Sequence, residues 1–147
     1  MKSPLHELHE ELGATFTEFE GHTMPLQYTS IKDEHLTVRH TVGVFDVSHM
    51  GNLYVRGPDA FKLVSRLTTC NPEKIPVGMG FYTAILRDDG TIIDDEVFLH
   101  TSSDEYLFVP NAGRHDTVEA WFEKHTEDND VTLENRSSRD AILAVQG

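Results

Sequence analysis

A chain of 147 residues makes one domain the default and is long enough to bury a sizeable core, to which eight Phe, four Tyr and one Trp can contribute. Twelve Lys and Arg against 25 Asp and Glu leave a formal net charge of -13, which argues against nucleic acid or an anionic membrane surface as a partner, since both need basic patches. Cys70 is the only cysteine, so no intrachain disulfide and no cysteine-based zinc site can form.

The first residues, M-K-S-P-L-H-E-L, lack the apolar run of a signal peptide, and no stretch approaches the length of a membrane span, so a cytoplasmic protein is expected. Leu5 to Leu12 reads as a short amphipathic helix ending at Gly13. Within it, His6 and His9 are three apart rather than the four that a helical zinc-protease motif needs, so no metal site is expected. Ala14 to Phe19 alternates as a strand, closed by Glu20-Gly21. Met24 to Tyr28 is extended and restricted by Pro25, and it leads to Ser30, an N-cap for a helix from Ile31 to about Thr41.

Gly43 to Val47 starts as a strand and stops in a polar turn ending at Gly51. Asp46, Ser48 and His49 are the residue types of a catalytic triad. They lie within four residues of one extended segment, however, whereas a relay needs side chains converging from separated positions, so a turn-stabilising role is expected. Asn52 to Arg56 alternates as a strand. Asp59 is placed to cap a helix through Leu67, with Phe61, Val64 and Leu67 facing inward. Pro76 to Gly80 is an irregular loop.

Two strands follow, Phe81 to Leu86 and Thr91 to Leu99, joined at Asp88-Asp89-Gly90. Asp-Gly between apolar runs is a hairpin signal, because glycine supplies the positive φ of the turn. The second strand carries Asp94-Asp95 where Ile and Val should dominate. Alternation sends one carboxylate to each face, and the one facing the core needs a partner or a ligand. The residues alone leave open whether either carboxylate is functional. Tyr106 to Val109 is a further strand. Arg114 to His125 is a helix with Val118, Trp121, Phe122 and His125 on one stripe, and Val131 to Glu134 and Ala141 to Val145 are the last two strands.

Taken in order, M-P-L-Q-Y (24–28), D-E-H-L-T-V-R (33–39), G-V-F-D-V-S-H-M-G (43–51), G-T-I-I-D-D (90–95), V-P-N-A-G (109–113) and A-V-Q-G (144–147) resemble the N-terminal part of the glycine-cleavage aminomethyltransferases, the T-proteins. The resemblance covers essentially the whole chain. Family members are much longer, so it implies an α+β fold: the antiparallel-sheet and helix domains of the T-protein cloverleaf, truncated before the C-terminal domains. Residues 1–51 would be the N-terminal part of the first folate-binding domain, 52–133 a compact α+β second domain, and 134–147 a strand returning to the first.

The resemblance further implies a one-carbon transferase of glycine catabolism. Such an enzyme moves an aminomethyl group from the lipoyl arm of a carrier protein, the H-protein, to tetrahydrofolate and releases ammonia. The family's functional carboxylate matches Asp95. Met50, Tyr82, Val109 and Asn111 match positions that line the folate, Asn111 with an amide able to read a pterin edge bidentately. Pro110 departs from the serine common at that position, so a hydroxyl contact and a backbone N–H are lost there. Sibling functions on the same frame are a folate-dependent demethylase and a folate-binding accessory protein. Residues 1–147 by themselves are expected to be inactive and to bind folate weakly.

Overall fold

The computed structural model describes residues 1–147. Its regular elements are α1 (His6–Glu11), β1 (Thr15–Phe19), β2 (His22–Gln27), α2 (Ile31–His40), β3 (Gly43–Asp46), β4 (Leu53–Arg56), α3 (Ala60–Leu67), β5 (Gly80–Leu86), β6 (Ile92–Ser102), β7 (Glu105–Val109), α4 (His115–Lys124), β8 (Thr132–Asn135) and β9 (Leu143–Gln146). The strands of every sheet pair antiparallel, so the fold is α+β as expected. Residues 1–49 with 137–147 form one compact unit, and residues 50–136 form another. No helix is long and apolar enough to cross a membrane.

In the first unit, β1 and β2 make a hairpin turned at Glu20 and Gly21, which have φ of 48° and 77°. Met24 to Gln27, expected only to be extended, is thus half of a paired strand. Pro25 is tolerated there because a two-stranded sheet has only edge strands, where a missing N–H disrupts no inner ladder. Ser30 caps α2 by accepting from the Asp33 N–H at 3.1 Å, and Glu34 reaches back to the N–H groups of Tyr28 and Thr29 at 2.8 and 2.7 Å. No residue of α2 is buried, and β3 pairs only with β9.

The interior of this unit is correspondingly polar: His6, His9, His22, Ser3 and Ser48 are buried beside Met24. Asp46 is its centre. Its carboxylate accepts from Ser3 Oγ and Ser48 Oγ, both at 2.5 Å, and from the Ser48 N–H at 2.9 Å, while His9 Nε2 lies 2.7 Å away. Tyr28 Oη stands 2.6 Å from His9 Nδ1. Burial pushes the Asp46 carboxyl up, but the bonds from Ser3, Ser48 and His9 outweigh it and hold the group below its ordinary value. His49 packs edge-on against Phe19, with ring centroids 5.2 Å apart. Asp46 and Ser48 therefore stitch the turn together, and Ser48 Oγ also accepts from the Ile142 N–H at 3.0 Å.

The second unit holds the apolar core. Its five strands run in the order β5-β6-β7-β4-β8. Leu53, Val55, Phe98, Tyr106 and Phe108 from the sheet bury against Leu63, Val64 and Leu67 of α3 and against Val118 and Phe122 of α4. The rings of Phe98 and Phe108 stack at 5.1 Å, and Phe122 joins them at 4.9 Å from Phe108. Helix α3 is turned relative to the expected face. Ala60, Leu63, Val64 and Leu67 form the i, i+3, i+4, i+7 stripe, which leaves Phe61 44% exposed. Asp59 does not cap α3; its Oδ2 accepts from the Asp130 N–H at 2.9 Å instead. Gly57 just before it has φ of 133°, and a Cβ there would stand 2.3 Å from the Asp130 carbonyl oxygen.

Candidate functional site

The site residues inferred from sequence all lie in the second unit, around the β5–β6 hairpin and the end of β7. The hairpin turns at Gly90, φ 82°, while Asp89 Oδ1 accepts from the Thr91 N–H at 3.0 Å and from its hydroxyl at 2.7 Å. Ile85 pairs with Asp94 and Leu86 with Ile92, so Ile93 is an extra residue in β6. This bulge buries Ile93 and Asp94 in succession and sends Asp95 to the opposite, exposed face. One aspartate does point to each face.

On the exposed face, Tyr82 pairs with Val97, and Val97 pairs with Val109, giving an apolar and aromatic row across three strands. Asp95 is one pair further along, and the Tyr82 hydroxyl donates to its Oδ2. That bond raises the Tyr82 phenol above its ordinary value, burial and the charges of Asp95 and Asp94 adding to it, so the tyrosine is the donor. The Gly51 N–H donates to the Pro110 carbonyl at 2.8 Å, which brings the segment carrying Met50 to the end of β7. Glycine suits this crossing, since a Cβ at residue 51 would meet the Pro110 ring at 3.1 Å.

Asn111 is held from beneath. Its backbone N–H donates to Asp94 Oδ2 at 3.0 Å, and its Nδ2 donates to Asp94 Oδ1 at 2.9 Å and to the Asp95 carbonyl at 2.8 Å. Both amide hydrogens are thereby bonded within the protein. What remains is the acceptor Oδ1.

Glu96 was not singled out in the sequence. Its residue is 1% exposed, and neither carboxyl oxygen has a hydrogen-bond partner in the protein. Burial, followed by the charges of Asp94 and Asp95, pushes its pKa up to about 9, so it is neutral at physiological pH. The signal was present: Glu96 is two residues from Asp94 and two from Phe98 on a strand, which puts all three on one face. At the other end of the exposed face, Arg56 and Arg136 stack on the Tyr54 ring at 4.6 and 4.7 Å, and both pair with Glu134.

These features place a carboxylate on an apolar, tyrosine-flanked sheet face, with an amide acceptor beside it. Such a face can bind a flat heterocycle through its N–H groups and accept a proton from it. Residues 5–147 match the family model described as the GCVT N-terminal domain. The chain belongs to this family.

Relatives of the GCVT family include a probable aminomethyltransferase of Halobacterium salinarum, 45% identical over 151 residues, which span 99% of this chain and 41% of the relative. An aminomethyltransferase of Corynebacterium jeikeium is 43% identical over 146 residues, covering 99% of this chain and 38% of the relative. Among solved structures, glycine cleavage system aminomethyltransferase T from Bartonella henselae superposes with a TM-score of 0.91 at 32% identity, over 100% of this chain and 40% of that one. The chain therefore spans about two-fifths of the length of the relatives it matches.

Proposed function

We propose that the protein to which this chain belongs is a tetrahydrofolate-dependent aminomethyltransferase of the glycine cleavage system. It would take the aminomethyl group from the lipoyl arm of the H-protein carrier and join its carbon to tetrahydrofolate. The lipoyl thiol and ammonia are the leaving groups, and methylene-tetrahydrofolate is the product. The observation that carries this reading is Asp95 on the open face of β6, bonded to Tyr82 and flanked by Val97, in a chain of the GCVT family.

Within that reading Asp95 accepts from the N–H groups of the pterin and takes the proton that the attacking nitrogen must lose as its bond to carbon forms. Tyr82 holds one carboxylate oxygen in place, which leaves the other for the ligand. Met50, Tyr82 and Val109 supply apolar and aromatic surface against the ring, and Asn111 supplies an acceptor. Cytoplasmic residence is part of the same proposal, as is the inactivity of residues 1–147 by themselves.

The test uses the full-length protein, supplied with aminomethylated lipoyl carrier and tetrahydrofolate, with methylene-tetrahydrofolate and ammonia followed together. Equimolar formation of both supports the proposal. Tetrahydrofolate binding without either product would replace it with the demethylase or the accessory protein.

A further inference from the structure

We propose that Asp94, the buried member of the aspartate pair, is the positioning residue that fixes the orientation of the Asn111 amide. The inference rests on the folate reading of the same site. Asp94 is 5% exposed, and both of its oxygens are used by one residue: Oδ2 by the Asn111 N–H and Oδ1 by Asn111 Nδ2. The second hydrogen of Nδ2 goes to the Asp95 carbonyl. A carboxylate and a backbone carbonyl only accept, so Asp94 and the Asp95 carbonyl together turn the NH₂ end of Asn111 inward and leave the carbonyl end for the ligand, with Asp94 also anchoring the Asn111 backbone N–H. The same clamp ties residue 111, at the end of β7, to the backbone of Asp95 on β6.

The consequence is a matter of sign. With both Asp94 oxygens accepting from Asn111, Asp95 and Asn111 both present acceptors, and the pair selects a ligand edge made of N–H and NH₂ donors. An amide at position 94 weakens this constraint, because it offers one donor and one acceptor and leaves the Asp95 carbonyl as the only remaining obligate acceptor for the Asn111 NH₂. Its NH₂ would then meet either the Asn111 N–H or the Asn111 NH₂, and relieving the second conflict by flipping the Asn111 amide would sacrifice the bond to the Asp95 carbonyl, so either arrangement displaces the Asn111 side chain from its wild-type setting. A displaced or flipped Asn111 no longer sets its acceptor against the donor edge of the ligand. A group that sets specificity in this way affects binding much more than the chemistry of bound substrate, since the proton acceptor, Asp95, is untouched.

The experiment compares full-length wild type, Asp94→Asn, Asn111→Ala and the double variant for tetrahydrofolate Kd by calorimetry. For each, kcat and KM are measured, and Tm is recorded alongside. Asp94→Ser, which keeps an acceptor for the Asn111 N–H but none for its side chain, serves if Asp94→Asn does not fold. Asp94→Asn or Asp94→Ser should weaken tetrahydrofolate binding by about 10-fold or more and raise KM in step, leaving kcat at saturation within about 3-fold. The double variant should bind no more weakly than Asn111→Ala alone. A purely structural role would lower Tm and give losses that add in the cycle, and that result overturns the proposal. Unchanged binding by the Asp94 variants, in a wild type that does bind, overturns it alone; a wild type that fails to bind tetrahydrofolate overturns the folate reading as well.

Discussion

Replacing Glu96 with Gln should stabilise the chain at neutral pH, and the size of the gain follows from its environment. In the unfolded chain this carboxyl ionises near the ordinary glutamate value of 4.5, whereas in the fold it does so at about 9. A pKa raised by folding contributes stability that is fully present below the unfolded value and is lost as pH rises through the folded one. Between pH 4.5 and 9 the native protein must hold a proton that the unfolded chain has released, at about 1.4 kcal/mol per pH unit. At pH 7 that amounts to roughly 3 kcal/mol against the native state. Gln keeps the shape and cannot ionise, but it buries one more N–H, which returns about 1 kcal/mol. A net gain near 2 kcal/mol is expected at pH 7. Urea unfolding followed by circular dichroism at pH 5, 6, 7 and 8 measures it. The difference between variant and wild type should grow by about 1.4 kcal/mol per pH unit across that range. A difference that does not change with pH would refute the reasoning.

Asp46→Asn should destabilise the first unit by about 2–3 kcal/mol, because the new NH₂ confronts the donors of Ser3, Ser48 and His9 around a buried position. The wild-type carboxyl is held below its ordinary value, so its contribution is present above that value and fades as pH falls through the depressed one. Acid titration of the variant, monitored by unfolding, should lack that loss. Gly57→Ala places a Cβ 2.3 Å from the Asp130 carbonyl at a φ of 133° and should destabilise the second unit by about 3 kcal/mol, measurable by thermal denaturation.

Much of the frame is legible in the sequence because local chemistry decides it. Asp89-Gly90 announces the β5–β6 turn, Ser30 announces α2, and strand alternation separates Asp94 from Asp95 without reference to any other part of the chain. What local pattern misjudges is decided at a distance. The face of α3 is set by the sheet it covers, so Leu63 replaces Phe61 in the core. Strand β2 is concealed by Pro25, whose missing N–H matters less once the strand is seen to have a single neighbour. The joining of His9, Tyr28 and Asp46 spans 37 residues of sequence between His9 and Asp46, and no spacing rule reaches that far.

The site shows the same division. Motifs that fit a known family point to Asp95 and Tyr82, but their hydrogen bond depends on the register of β5 against β6, which no motif carries. The bulge at Ile93 is equally silent in the sequence, though it sets which carboxylate is buried. The donor end of the Asn111 amide is bonded within the protein to Asp94, seventeen residues earlier, a pairing that no local pattern announces.

The central claim is that Asp95 is the proton acceptor of a folate-dependent aminomethyl transfer. The direct measurement is single-turnover formation of methylene-tetrahydrofolate by full-length wild type and Asp95→Asn, with tetrahydrofolate affinity determined in parallel. Asn retains the shape but not the base, so the rate should fall by about 10²-fold or more while affinity changes much less. A variant that binds tetrahydrofolate and forms product at the wild-type rate would contradict the claim.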